Sequence, residues 1–207
     1  MSDATVFSDT LSSGASACGL DLDPRTRDGL VEHYRLLLKW APRVNLTTIL
    51  EPERAALLHG VDSLTFDRAL PHATRIVDVG SGAGFPGIAL ALRRPEARGV
   101  AVEPIRKRCS FLRVVASALD LANFEVHEGR LEDVHETYDG AVSRATWAPP
   151  AWIEVGARLV AASGVLATSG GRGAPSSEAL AAVAAASGLQ WRERLRFVLP
   201  NVNAERS

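Results

Sequence analysis

A doubly wound α/β domain with an N-terminal helical extension is the fold class that this sequence predicts. Three observations carry it. From residue 75 onward, short apolar runs of strand character alternate with helical patterns, as in a parallel sheet covered on both faces. The first of these runs, in "RIVDVGSGAGFPGIALAL" at 75–92, leads into a glycine-rich turn and then a helix. Ahead of it, residues 24–70 show helical spacing alone.

In chain order, residues 1–22 are rich in Ser, Ala and Asp with weak periodicity, and read as a disordered leader. Asp23 and Pro24 form an N-cap and first-turn pair. Leu30, Tyr34, Leu37, Leu38 and Ala41 then recur on one helical face, and Pro42 limits that helix. Pro52 starts the next, with Ala56, Leu57, Val61, Leu64 and Ala69 continuing the pattern, so the helical extension covers 23–72. Within the α/β domain at 73–207, strands are predicted at 75–80, 99–103, 124–127, 139–143 and 163–168. Helices are predicted at 86–94, 105–120, 149–161 and 176–187. "SGGRGAPSS" at 169–177 reads as a flexible loop, and "LQWRERLRFVLP" as a final strand of alternating polarity.

The chain has 207 residues, enough for one domain with a small extension, and 46% of them are hydrophobic. A formal net charge of -1 excludes a globally basic nucleic-acid binder, so any nucleic-acid contact has to use a local patch. Two cysteines, Cys18 and Cys109, are too few for a disulfide framework or a metal site, and fit a reducing, cytoplasmic setting. No run of 18 apolar residues and no secretory signal is present, so neither a membrane span nor export is expected.

The glycine turn poses the question of its ligand. Gly82-Ala-Gly84-Phe-Pro-Gly87 matches G-x-G-x-x-G, and Glu103 follows about 20 residues on, where a ribose-binding acid sits. Two details turn the match away from a nicotinamide dinucleotide. Asp78 lies inside the strand, two residues before Gly80, where a carboxylate facing the crevice repels a pyrophosphate and attracts an ammonium or sulfonium. Gly80, Gly82 and Gly84 also begin earlier than the dinucleotide fingerprint requires. S-adenosylmethionine carries such cations and a ribose without phosphate, and Glu103 at the second strand tip is placed to accept from its hydroxyls. The bland alternatives are a tight turn that binds nothing and an Asp78 that is merely buried and hydrogen-bonded.

The chain resembles the ribosomal RNA small-subunit methyltransferase G family, also called glucose-inhibited division protein B. The matching segments are "NLT" at 45–47, "HGVDSL" at 59–64, "DVGSGAGFPGIALAL" at 78–92, "EPIRKRCSFL" at 103–112, "GRLED" at 129–133, "SRA" at 143–145 and "LPNVNAERS" at the end. "GFPGIAL" directly after the glycine turn is the most specific of them. The resemblance implies a Rossmann-like S-adenosylmethionine-dependent methyltransferase that modifies N7 of a guanine in 16S rRNA of the small ribosomal subunit, as a monomer without metal. It implies that Gly80 and Phe85 line the cofactor site with Glu103 on the ribose, that Leu131 and Glu132 lie against the adenine, and that Arg144 stands at the end of the fourth strand. Asp78, Gly82 and Gly84 complete the expected cofactor set. The chain departs from the family in having Ser169-Gly170 where a Lys-Gly pair is usual, and in ending at Ser207. Both predict a slower, less stable enzyme unless Arg172 takes the lysine's place.

Guanine N7 has a free lone pair at neutral pH, so its methylation needs alignment rather than a general base. No nucleophilic triad and no metal-ligand cluster is visible, which agrees. Arg144 is a candidate either for the methionine carboxylate or for guanine O6, and the sequence leaves both open. His59 and Asp62 share a helix face and either close over the cofactor or hold the extension to the sheet. Asn45 and Thr47 read as capping residues. Trp147 reads as a packing residue, or a base-stacking one. Arg106, Lys107, Arg108 and Arg113, like Arg93 and Arg94, are solvated helix faces unless the substrate is RNA, when they become phosphate contacts. The alternatives are a methyltransferase acting on a small molecule or protein, and a degenerate S-adenosylmethionine- or RNA-binding protein without turnover.

Overall fold

The computed structural model describes residues 1–170 and 173–200. Five parallel strands, β1 (Arg75–Val79), β2 (Arg98–Glu103), β3 (Phe124–Glu128), β4 (Tyr138–Ser143) and β5 (Val160–Thr168), form one sheet in the order β3-β2-β1-β4-β5. The chain therefore winds outward from β1 to β3 and then returns to β4 on the other side of β1. That reversal makes a crevice at the carboxyl ends of β1 and β4, where open α/β sheets bind ligands. Val79 pairs with Val102, which ends Gly80 and Glu103 level with each other at the same edge.

The central strands β1 and β4 are buried on both faces. Val77, Val79, Val102 and Ala141 pack under Trp152 and Leu159 on one face. Ile76 and Val142 pack with Leu90 and Phe66 on the other. The covering helices are α5 (Gly87–Arg93), α6 (Arg106–Ala118), α7 (Pro149–Gly156) and α8 (Ser177–Ala186).

The N-terminal extension consists of α2 (Pro24–Trp40), α3 (Pro52–Ala55), a π-helical turn (Ala56–Val61) and α4 (Asp62–Ala69). The Asp23 side chain caps α2 by accepting from Thr26 N–H, with Pro24 in the first turn as the sequence predicts. The π-helical turn has no sequence signature; the pattern predicts an uninterrupted helix there.

Two expectations fail. Residues 1–22 are not a disordered leader: α1 (Asp3–Ala17) packs on the extension with Phe7 and Leu11 fully buried. Phe7 stacks on Tyr34 at 4.3 Å, and Gly14 and Gly60 let α1 approach the π-turn so closely that a Cβ at either would meet a leucine at 2.6 Å. The stripe Phe7, Leu11, Gly14, Ala15 has helical spacing, but small residues dilute it. Two large side chains, each contributing roughly 1.5–3 kcal/mol on burial, suffice to anchor the helix. The segment 189–199 is likewise not a strand. Its side chains are used in packing instead of a ladder: Leu189 and Trp191 pack beside α7 and α8, and Phe197 lies under the Arg68 guanidinium at 5.7 Å. The family-like "LPNVNAERS" lies mostly outside the described residues.

Among the described residues no helix is long and apolar enough to cross a membrane.

Candidate functional site

The glycine turn leaves β1 with Gly80, Gly82 and Gly84 at φ of 74°, 54° and 89°, backbone that only glycine adopts without strain. Gly80 also has no room for a side chain, since a Cβ would meet Thr146 Oγ1 at 2.3 Å. Thr146 belongs to the loop after β4, so the β1 and β4 tips touch across the crevice. Ala145, in the same loop, holds a left-handed φ of 59° without being glycine, the kind of local strain that collects at functional sites.

Glu103 stands at the β2 tip and is 1% exposed. Its Oε2 accepts from Gly82 N–H at 2.9 Å, its Oε1 from Ile105 N–H at 3.0 Å, and Arg108 Nη1 lies 3.8 Å away. The acid thus holds the glycine turn against the start of α6. Each oxygen keeps a second lone pair for a ligand hydroxyl.

Asp78 differs from expectation. Its carboxylate turns under α5, not into the open crevice, because β1 alternates and position 78 shares the face of Ile76. Oδ2 accepts from Gly87 N–H at 2.9 Å, and a Cβ on Gly87 would strike that oxygen. Oδ1 is buried without a hydrogen-bond partner. The carboxylate borders a cavity of about 10 Å³, the size of one water. Burial pushes its pKa up to about 6; the Gly87 N–H, Ser81 and the Arg144 charge pull the other way.

Phe85, expected to line the cofactor site, is 4% exposed and stacks on His33 at 4.2 Å and on His59 at 4.9 Å. It pins the turn to the extension. Leu131 and Glu132 separate: Leu131 packs into the core beneath the sheet, and only Glu132 is exposed.

Arg144 leaves the end of β4 and is gripped by the extension. Nη1 donates to Leu58 O and to Asp62 Oδ2 at 3.0 Å, Nη2 donates to His59 Nδ1 at 3.1 Å, and the guanidinium lies 5.7 Å from the Phe85 ring. His59 and Asp62 are therefore brought to Arg144, and Thr47 to His59. Asn45 O accepts from Arg108 Nε at 3.1 Å. Trp147 stacks on Trp152 at 5.5 Å, a packing contact. Ser169 follows β5, and Arg172 lies outside the described residues.

His33 went unnoticed in the sequence, although it sits on the apolar stripe of α2 between Leu30 and Leu37. It is fully buried, and its Nε2 lies 2.8 Å from Ala83 O, which can only accept; Nε2 therefore donates and clamps the glycine turn. Burial drives its pKa down to about 4, so the ring is neutral.

A five-stranded parallel sheet with a glycine turn after β1, acids on β1 and β2, and its crevice at the β1–β4 reversal defines a Rossmann-like methyltransferase domain. A putative protein-L-isoaspartate O-methyltransferase from Plasmodium falciparum shares this fold, with a TM-score of 0.51 at 19% identity over 79% of this chain and 83% of that one. The family model for rRNA small subunit methyltransferase G, GidB, matches residues 27–190, and the chain belongs to that family. It is 35% identical to the ribosomal RNA small subunit methyltransferase G of Azoarcus sp. (strain BH72), over 100% of this chain and 96% of the relative. It is 38% identical to that of Anaeromyxobacter sp. (strain Fw109-5), over 94% and 92%.

Proposed function

We propose that this protein transfers a methyl group from S-adenosyl-L-methionine to N7 of a guanine in 16S rRNA of the small ribosomal subunit. The observation that carries this reading is the family match over residues 27–190, which spans both the acids on β1 and β2 and the Arg144 cluster on β4.

The residues fit the cofactor. Glu103 has both oxygens at the strand tip, each with a lone pair left after its backbone bond, so the crevice suits a ligand with ribose hydroxyls, while Asp78 holds the turn from beneath α5. When bound, S-adenosyl-L-methionine supplies an electrophilic methyl group. Glu103 accepts from the ribose, Gly80, Gly82 and Gly84 allow close backbone approach, and exposed Glu132 borders the base. Arg144 orients the acceptor from the opposite side of the crevice. Guanine N7 needs no proton removed, so no side chain has to act as a base, and alignment is what the protein contributes.

A basic patch supports an RNA substrate. Lys39 and Arg43 at the end of α2, and Arg106 and Lys107 at the start of α6, are exposed and make no ion pair among the described residues. Trp40 packs on Phe111 at 5.8 Å, which joins the two helices. Cations in the first turn of α6 face the positive end of the helix dipole, an unfavourable placement that bound phosphates relieve.

A tritium-methyl transfer assay tests the reading, with small subunits lacking the modification, naked 16S rRNA beside them, and identification of the methylated nucleoside after digestion. The expected product is 7-methylguanosine. Methyl incorporation on another atom, or none on either substrate, refutes it.

A further inference from the structure

Thr47 and His59 form a chain of hydrogen bonds whose direction is fixed by chemistry. A guanidinium only donates, so His59 Nδ1, 3.1 Å from Arg144 Nη2, must be an unprotonated acceptor. A neutral ring then carries its proton on Nε2, which lies 3.1 Å from Thr47 Oγ1. Thr47 Oγ1 also accepts from Ile49 N–H at 3.1 Å, which leaves it oriented to take the His59 proton. The π-helical turn completes the seat. Asp62 N–H bonds to Leu57 O, five residues back, instead of Leu58 O, and Arg144 Nη1 takes the Leu58 carbonyl.

Three acceptors thus hold the Arg144 guanidinium, and its Nε–H and one Nη2–H have no protein partner among the described residues. We propose that Thr47 and His59 are positioning residues, which fix the ring tautomer so that Arg144 presents this remaining pair of donors to the acceptor base. The proposal rests on the methyltransferase reading above. If Thr47 loses its hydroxyl, the histidine proton is free to move to Nδ1, where it points at the guanidinium and unseats it.

The test compares Thr47→Val, Thr47→Ser, His59→Gln and His59→Asn in the full chain. Thr47→Val and His59→Gln are expected to lower single-turnover methyl transfer at least tenfold, with melting temperature and S-adenosyl-L-methionine affinity near wild type. Thr47→Ser restores the hydroxyl, and His59→Asn offers an oxygen in the place of Nδ1, so both are expected to recover most of the rate. Nitrogen-15 spectra of the imidazole give a readout independent of turnover: wild type shows the Nε2–H tautomer, and Thr47→Val loses it. A wild-type protein that transfers no methyl defeats the functional reading, while the spectra still decide the chain. An Nδ1–H ring in the wild type, or full transfer by both Thr47→Val and His59→Gln, overturns the proposal.

Discussion

The two sides of the crevice are built differently. On the β1–β2 side, carboxylates are tied to backbone: Glu103 to Gly82 and Ile105, Asp78 to Gly87. On the β4 side, one guanidinium is tied to a helix more than 80 residues earlier in the chain, through Leu58, His59 and Asp62. The first side is a local turn that any β-α unit can carry. The second exists only because the extension docks, with His33 and His59 both stacked on Phe85. The extension is therefore part of the site, and variants on the two sides should fail in different ways.

The largest effect is expected on the β4 side. Replacing Arg144 by Ala removes an oriented, charged donor and should lower methyl transfer on the order of a hundredfold, by analogy with the loss of other preorganised donors. Single-turnover assays on small subunits check it. A rate within threefold of wild type would remove Arg144 from the mechanism.

On the other side, Glu103→Ala removes the acid proposed to accept from the ribose, and calorimetry should show S-adenosyl-L-methionine affinity falling by about tenfold or more. Because Glu103 also holds Gly82 and Ile105, a circular dichroism melt must accompany the titration. Unchanged affinity in a folded variant would contradict the assignment.

Two buried groups set the acid stability, with opposite signs. His33 has its pKa lowered from 6.5 to about 4, so the unfolded chain takes up the proton first and stability is lost as pH falls from 6.5 towards 4. Asp78 has its pKa raised from 3.8 to about 6, so the folded chain takes up the proton first and stability is gained as pH falls from 6 towards 3.8. Each amounts to roughly 3 kcal/mol, so the two nearly cancel over this window. Asp78→Asn keeps the acceptor for Gly87 N–H and removes the buried charge. It should raise stability at pH 7 by up to about 3 kcal/mol and expose the full acid lability of His33. Denaturant melts at pH 7, 6, 5 and 4 check it, and a wild-type profile in the variant would refute the balance.

The smallest effect concerns Ser169. Ser169 is half-buried just after β5, and Ser169→Lys should raise transfer by no more than about fivefold, the worth of a solvent-accessible charge contact. A fall in rate would show that the position does not face the acceptor.

The contrast between the two sides also explains what was legible in the sequence. Glu103, Gly80, Gly82 and Gly84 could be read because strand, turn and second-strand acid keep fixed spacing along the chain. The strand alternation gave all five strands for the same reason. Asp78 was found, but its direction was not, since spacing alone does not tell which face of β1 a side chain takes. The stacking of Phe85 was not legible, because its partners, His33 and His59, come from separate helices. Arg144 was flagged by the "SRA" segment, yet its seat depends on a π-turn and on docking, and neither leaves a local pattern. Helix α1 was missed because small residues thin its apolar stripe, and 189–199 because alternating polarity does not guarantee a neighbouring strand to pair with.

The central claim is that the two sides divide the labour, the β1–β2 tips holding the cofactor and the β4 tip aligning the acceptor. Titration of S-adenosyl-L-methionine into Arg144→Ala, with wild type and Glu103→Ala beside it, tests that division directly. The account predicts a Kd for Arg144→Ala within about twofold of wild type, a difference of less than 0.5 kcal/mol. A loss of cofactor affinity as large as that of Glu103→Ala would contradict it and place Arg144 on the cofactor.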